Sequence, residues 1–278
     1  TDVRLPMTTH LEQMPGKSNY YAVLHGPIVL AARTRMVGDD KLHYLADDSR
    51  MGHIASGPTC PLEVAPMFVS DSTDFIARFK PVAGKPLTFT APGLVRGADG
   101  PRTEFIPFFR LHESRYTMYW QHATPGGLKA QQAANAAREA DRIALNARTI
   151  DQVAPGEQQP ESDHFLKGEG IDAGINDGRR WRHATGWFSY ELNDPKKEAR
   201  ELRLAFAKVD AGRQFDILVN GQVLANVTLT ADANEDIYTV DYPIPDAVRM
   251  KANGKLSVRF VARPGSIAGG LYALRLLR

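Results

Sequence analysis

From Ile150 onward the chain is a succession of short runs in which apolar and polar residues alternate. They are WFSYEL (Trp187–Leu192), ELRLAFA (Glu201–Ala207), FDILVNG (Phe215–Gly221), QVLANVTL (Gln222–Leu229), IYTVDYPI (Ile237–Ile244), KLSVRFVA (Lys255–Ala262) and LYALRLL (Leu271–Leu277). A period of two sends successive side chains to opposite sides of an extended backbone, so each run offers one face to a core and one to water. In ELRLAFA, Leu202, Leu204 and Phe206 share one face, and Arg203 and Ala205 share the other. Asn220-Gly221 separates two runs, and both residue types accept the positive φ of a type I′ turn, which predicts a hairpin. Seven or eight strands in roughly 125 residues predict an antiparallel sandwich of the jelly-roll or galactose-binding type.

The first part of the chain, residues 1–124, also reads as β structure, but less regularly. YYAVLHGPIVLAA (Tyr20–Ala32) predicts a buried strand interrupted at Gly26-Pro27 by a bulge or bend. Further strands are expected at Leu62–Val69, Phe75–Phe79, Leu87–Thr90, Glu104–Phe109 and Tyr116–Gln121, with Gly/Pro/Asp turns between them. The composition changes abruptly in LKAQQAANAAREADRIALNAR (Leu128–Arg148), which is dominated by strong helix formers. Its apolar stripe (Leu128, Ala134, Ala137, Ile143, Leu145) is too thin for a core helix. It reads as a surface helix between domains, with a flexible linker as the alternative. The expected organisation is a mostly β protein with two antiparallel sandwiches joined by a helix: a partial one over 1–124, a helical linker and extended connector over 125–165, and a complete one over 166–278.

Hydrophobic residues at 43% supply a core, and 34 basic against 32 acidic residues, without long basic runs, argue against a nucleic-acid surface. No apolar stretch approaches the roughly 20 residues that span a bilayer. A single cysteine, Cys60, excludes an intramolecular disulfide and a multi-cysteine zinc site within these residues.

The blocks LPMTTHLEQMP, YYAVLHGPIVLAA, FIPFFRLHESRYTMYWQ, ARTIDQVAPGEQQPESDH, WRHATGWFSYEL and GSIAGGLYALRLLR, in this order, resemble bacterial β-L-arabinofuranosidase-type glycoside hydrolases. The resemblance implies a catalytic (α/α)₆ barrel upstream, carrying a cysteine nucleophile, a zinc held by cysteines and a glutamate, and a glutamate acid/base. None of these positions carries over here, and Cys60 in SGPTCPLEV matches no catalytic context, so zinc is expected only in that barrel. The same resemblance implies that the first sandwich is truncated, and the alternation of Val3, Leu5 and Met7 with Arg4 and Pro6 reads as an opening inside a strand. The resemblance also implies that the partner is a barrel of the same or a separate polypeptide, and that the location is periplasmic or secreted. The expected role is a non-catalytic accessory region that buttresses the barrel. The alternatives are a module that binds plant-type glycans and a docking module for a separately encoded barrel.

Three groups of residues are candidates for a site. GEQQPESDHF (Gly156–Phe165) concentrates Glu157, Gln158, Gln159, Glu161, Ser162, Asp163 and His164. Glu157 and Glu161 with His164 as relay would suit acid–base work. Pro155 and Pro160 instead favour an extended inter-domain connector whose side chains satisfy backbone groups; contact with a neighbouring barrel is a further reading. Asp172, Asn176 and Asp177 offer oxygen ligands for a structural cation, or ordinary Asp-Gly turn chemistry. Trp181, Trp187 and Tyr190 could form a sugar platform, although neighbours on a strand point to opposite faces. His25 is expected to be a satisfied buried residue, His112 beside Glu113 a turn residue, and His43 and His53 lack partners at metal spacing.

Overall fold

The computed structural model describes residues 5, 7–16, 18–34, 43–45, 54–56, 61–62, 64–97, 100–112 and 114–278; at 43–45, 54–56, 101 and 251 the backbone alone is described. Cys60, His53 and Glu113 lie outside the described residues, as does the side chain of His43. The chain divides into two compact units, Thr1–Arg142 and Ile143–Arg278.

In the first unit, the described residues form a ten-stranded sheet built around Tyr20–His25, Ile28–Arg33, Glu104–Pro107 and Tyr119–Ala123. The expected bulge at Gly26-Pro27 is instead a tight hairpin, with Val23 opposite Leu30 and His25 opposite Ile28. Gly26 has φ 56°, which reverses the chain where a side chain would resist. Phe75–Phe79 is likewise not a strand: Ile76–Arg78 is a 3-10 turn that places Phe75 and Phe79 in the core. Glu104–Phe109 keeps its strand only to Pro107, after which Phe108–Arg110 is another 3-10 turn. Aromatic rings fill this core, and Phe68 stacks on Trp120 at 4.8 Å. Each buries a large apolar area in a defined geometry, which suits a unit whose strands are short.

Leu128–Arg148 is helical over the full predicted stretch. Its thin apolar stripe buries little. Leu128 packs beside Met67, Val69 and Ala123, and the one buried helical residue is Asn135, whose amide donates to Gln121 Oε1 at 2.7 Å. Among the described residues, no helix is long and apolar enough to cross a membrane.

The second unit is a sandwich. One sheet runs in the order Lys167–Asn176, Arg179–Asn193, Lys255–Ala262, Gln214–Val219, Gln222–Thr228, with Ala268–Leu271 also on Arg179–Asn193. The other runs in the order Thr149–Val153, Ala273–Leu277, Glu201–Ala207, Ile237–Pro243. The core lies between them: Phe188, Tyr190, Phe215, Ile217, Val258 and Phe260 meet Leu202, Leu204, Phe206, Leu274 and Leu276. Arg203 points the other way and forms two hydrogen bonds with Asp241, at 2.7 and 2.6 Å. Asn220 and Gly221 adopt φ 50° and 78° in the expected hairpin turn, with Val219 opposite Gln222. Of the stretch 125–165 read as linker and connector, residues 149–165 are built into this unit. Alternation in Thr149–Val153 buries Val153 and lets the segment pair with Ala273–Leu277 as a sheet-edge strand.

Candidate functional site

The acidic run Gly156–Phe165 is not extended. Gln158–Asp163 is a short helix of six residues, and Pro160 sits in its first turn, where the missing N–H costs nothing. The turn aims Glu161 inward, to 3% exposure. There Oε1 accepts hydrogen bonds from the Gly156 N–H (2.8 Å), Arg182 Nε (2.9 Å) and the Tyr190 hydroxyl (2.7 Å), while Oε2 takes the second arm of Arg182. Burial alone would raise the Glu161 carboxyl. The donors, led by Arg182, outweigh it and hold the group below the usual carboxylate range. His164 closes the other side. Its Nδ1 lies 2.6 Å from the Pro160 carbonyl and its Nε2 3.1 Å from Asp151 Oδ1. Both partners only accept, so both ring nitrogens donate, and the Asp151 contact raises the imidazole above its usual value. Asp151 Oδ2 in turn accepts the Asn193 N–H at 2.6 Å. Glu157, Gln158, Gln159 and Asp163 stay at the surface of the turn, with Gln159 bonded to Asp163 at 2.7 Å. Glu161 and His164 therefore have their polar atoms committed to the fold of the second unit.

Tyr190 is 0% exposed, in the same core as Phe188, so it is no part of a sugar platform. The strand Arg179–Asn193 alternates: Arg182, Ala184, Phe188 and Tyr190 go inward, and Trp181, His183 and Trp187 go outward. Trp181 and Trp187 are half-buried and sit on the outer face, about 20 Å apart along the strand.

The cation site read from Asp172, Asn176 and Asp177 is corrected. Asp172 and Asn176 belong to one extended strand, about 13 Å apart, too far to share an ion. Asp177 and Gly178, at φ 47° and 73°, form the turn of a hairpin with Asn176 opposite Arg179. Among the described residues no three His, Cys, Asp or Glu side chains converge on a metal position.

The hairpin instead builds an aromatic–polar surface. Gly174 lies opposite Trp181, and a Cβ there would fall 2.5 Å from the indole Cζ2, so glycine is what lets the ring lie across the neighbouring strand. Trp181 stacks on His183 with ring centroids 4.6 Å apart. Asp172, opposite His183 and well exposed, approaches its Nε2 at 3.9 Å. On the other side, Arg213 pairs with the buried Asp210 at 2.7 Å. Burial and the Arg213 charge push His183 below its usual value, which favours the neutral ring. Burial pushes the Asp210 carboxyl up. Asn176 donates to the Tyr272 hydroxyl at 3.3 Å and also lines a cleft of about 470 Å³ with Asp177, Arg179, Lys208, Glu235 and Asp236. The hairpin tip, the Lys208–Asp210 turn and the loop before Ile237 thus meet at one end of the sandwich.

Trp187 is occupied differently. Arg259 Cζ lies 3.6 Å from the centroid of its ring. The two residues are diagonal neighbours, since Trp187 faces Val261 and Ser189 faces Arg259.

In the first unit, His25 Nδ1 meets the Thr9 hydroxyl at 3.0 Å, as a satisfied histidine does. Sequence reasoning missed a serine–histidine pair, Ser70 and His122, which are 52 positions apart with no motif around either. Their Oγ and Nε2 are 3.0 Å apart. Ser70 Oγ donates to the Ser72 carbonyl at 2.6 Å, and His122 Nε2 must donate to the Ser70 carbonyl at 3.1 Å. A protonated Nε2 cannot take the serine proton, so the pair clamps a turn and is not a nucleophile–base couple.

Residues 144–277 match the model of a family of unknown function, DUF6805, and residues 10–122 match that of a domain of unknown function, DUF4986. No curated protein matches the chain. Among solved structures, a family 35 carbohydrate binding module from Clostridium thermocellum is 15% identical with a TM-score of 0.34, over 45% of this chain and 95% of that one. The ANXUR1 extracellular domain from Arabidopsis thaliana is 16% identical with a TM-score of 0.36, over 46% and 42%. An exo-beta-1,3-galactanase from Phanerochaete chrysosporium is 11% identical with a TM-score of 0.33, over 96% and 56%. Likenesses of this size say nothing about function.

Proposed function

We propose that the chain is a non-catalytic accessory region of a glycoside hydrolase and that its second unit binds neutral plant-type glycans at the hairpin-tip surface. The observation that carries this reading is the half-buried Trp181 indole, laid across Gly174 and stacked on a neutral His183. An aromatic face packs against the C–H face of a sugar, and the adjacent Asp172 carboxylate and Asn176 amide supply the acceptor and donor that hydroxyls need. The order of sequence blocks resembling β-L-arabinofuranosidase-type enzymes supports the accessory role.

Isothermal titration with arabinan and arabinogalactan oligosaccharides tests the binding. The intact chain should bind with a Kd in the high-micromolar to millimolar range, and Trp181→Ala should weaken it about tenfold or more. Absence of binding, or an indifferent Trp181→Ala, would overturn the site. Turnover of an arabinofuranoside by the pure chain would overturn the non-catalytic assignment.

A second reading, docking against an (α/α)₆ barrel, is favoured by the first unit. Phe109 is 61% exposed, with Tyr116 at 47% and Tyr119 at 48%. Phe108 and Tyr116 pack at 5.0 Å. A purified barrel that binds the chain, and releases it on Phe109→Ala with Tyr119→Ala, would support docking.

A further inference from the structure

The outer face of the six-stranded sheet carries a second feature, away from the hairpin tip. One row across the strands reads Glu169, Trp187, Val261, Asp216, Asn226, and the next reads Lys167, Ser189, Arg259, Leu218, Val223. Along its own strand, the cations four residues to either side of Arg259 have acid partners: Lys255 meets Glu191 at 3.6 Å and Arg263 meets Asp216 at 2.8 Å. Arg259 has none among the described residues, and its Nε is buried without a hydrogen bond. Its guanidinium carbon instead lies 3.6 Å from the centre of the Trp187 ring.

We propose that the Trp187–Arg259 stack is a receptor for the carboxylate of an acidic sugar, a uronate unit of a polysaccharide. A guanidinium fixed against an indole has lost its rotamer freedom in advance, and its free N–H edge matches a carboxylate in the bidentate geometry that makes such pairs strong. Val261 and Leu218 flank the stack and give the sugar ring an apolar floor. Ser189, opposite Arg259, adds a hydroxyl. Glu169, opposite Trp187, repels an anion on that side and confines it to the Ser189 side. The backbone groups in mid-sheet are already bonded between strands, so an acidic peptide finds no main-chain pairing there, whereas a sugar acid brings its own hydroxyls. The feature is independent of the Trp181 surface, and the two are separable by mutation.

Native affinity electrophoresis of the whole chain through gels containing polygalacturonate is the test. The unaltered protein should be retarded. It should not be retarded by the fully methyl-esterified polymer, which keeps the backbone and loses the charge, and added salt should weaken the effect. Arg259→Gln should lose retardation about tenfold or more. Ser189→Asp, which leaves the stack in place and sets a competing carboxylate opposite Arg259, should do the same. Trp181→Ala and Arg180→Gln should both retain it. No retardation of the unaltered protein, an undiminished response in Ser189→Asp, an equal loss in Arg180→Gln, or equal retardation by poly-glutamate would each overturn the proposal.

Discussion

The two sides of the strand Arg179–Asn193 use similar residue types to opposite ends. On the inner side, Arg182 and Tyr190 converge on Glu161, and both carboxylate oxygens are filled by donors. On the outer side, Trp181, His183 and Trp187 are half-buried, and Asp172 is open to solvent: Oδ1 accepts only the Ala173 N–H at 2.8 Å, and Oδ2 makes one weak approach to His183. Saturation is the difference. A polar group whose bonding capacity is spent on the protein stabilises one conformation, while a group with capacity left can still answer a ligand.

The strongest way to break this contrast is at Glu161. Glu161→Gln removes the negative charge and leaves Arg182 buried without a counter-ion, so the second unit should lose about 3–5 kcal/mol by urea denaturation. A loss below about 1 kcal/mol would mean that the clamp is not saturated as described. Gly174→Val tests the outer side with the reverse expectation. The new side chain displaces the Trp181 indole, so neutral-glycan affinity should fall by about 1–2 kcal/mol while the unfolding midpoint barely moves. Coupled losses in both would merge the two sides into one structural role.

His164 sharpens the comparison through pH. Its folded value is raised, so its contribution is complete below the ordinary imidazole value of 6.5 and is lost as pH rises through the folded value. Asp151 is depressed: burial opposes this, but the His164 and Asn193 hydrogen bonds prevail. Its contribution is present above the ordinary 3.8 and is lost as pH falls through the folded value. Nearby Asp163 adds to the charge favouring imidazolium. The pair is therefore at full strength between those two ordinary values, and thermal melts should decline by a few degrees from pH 6 to pH 9. His164→Asn should flatten that decline; an unchanged slope would place the titration elsewhere. Arg203→Ala, at an outward ion pair with Asp241, should cost only about 0.2–1 kcal/mol, measured in the same denaturation series.

What was legible in the chain was what is local. Leu202, Leu204 and Phe206 announce their buried face by alternation, and Asn220-Gly221 announces its turn, because both signals lie within a few residues. Gly26-Pro27 was ambiguous, since the same dipeptide serves a bulge or a two-residue turn, and only the pairing of Val23 with Leu30 decides. Pro160 suggested a broken helix, yet proline is compatible with a first turn, and here it sits in the first turn of a six-residue helix. The residues of the candidate sites were visible one by one but not as sets. Glu161 and Arg182 are 21 positions apart. Arg259 reaches Trp187 only because the strands holding them pair. No spacing rule encodes either meeting.

The strand Lys167–Asn176 ends its sheet, and its register breaks between Glu169 and Ile171, where Gly170 takes φ 63°. A straight border strand is a template on which a second copy can zip, and repeated zipping makes fibrils. This border is kinked in its middle, and it carries Glu169 and Asp172 beside the kink. Its free backbone donors and acceptors are therefore out of line with any straight incoming strand, so the sheet resists polymerisation at the side where Ile171 and Ile175 would otherwise invite it.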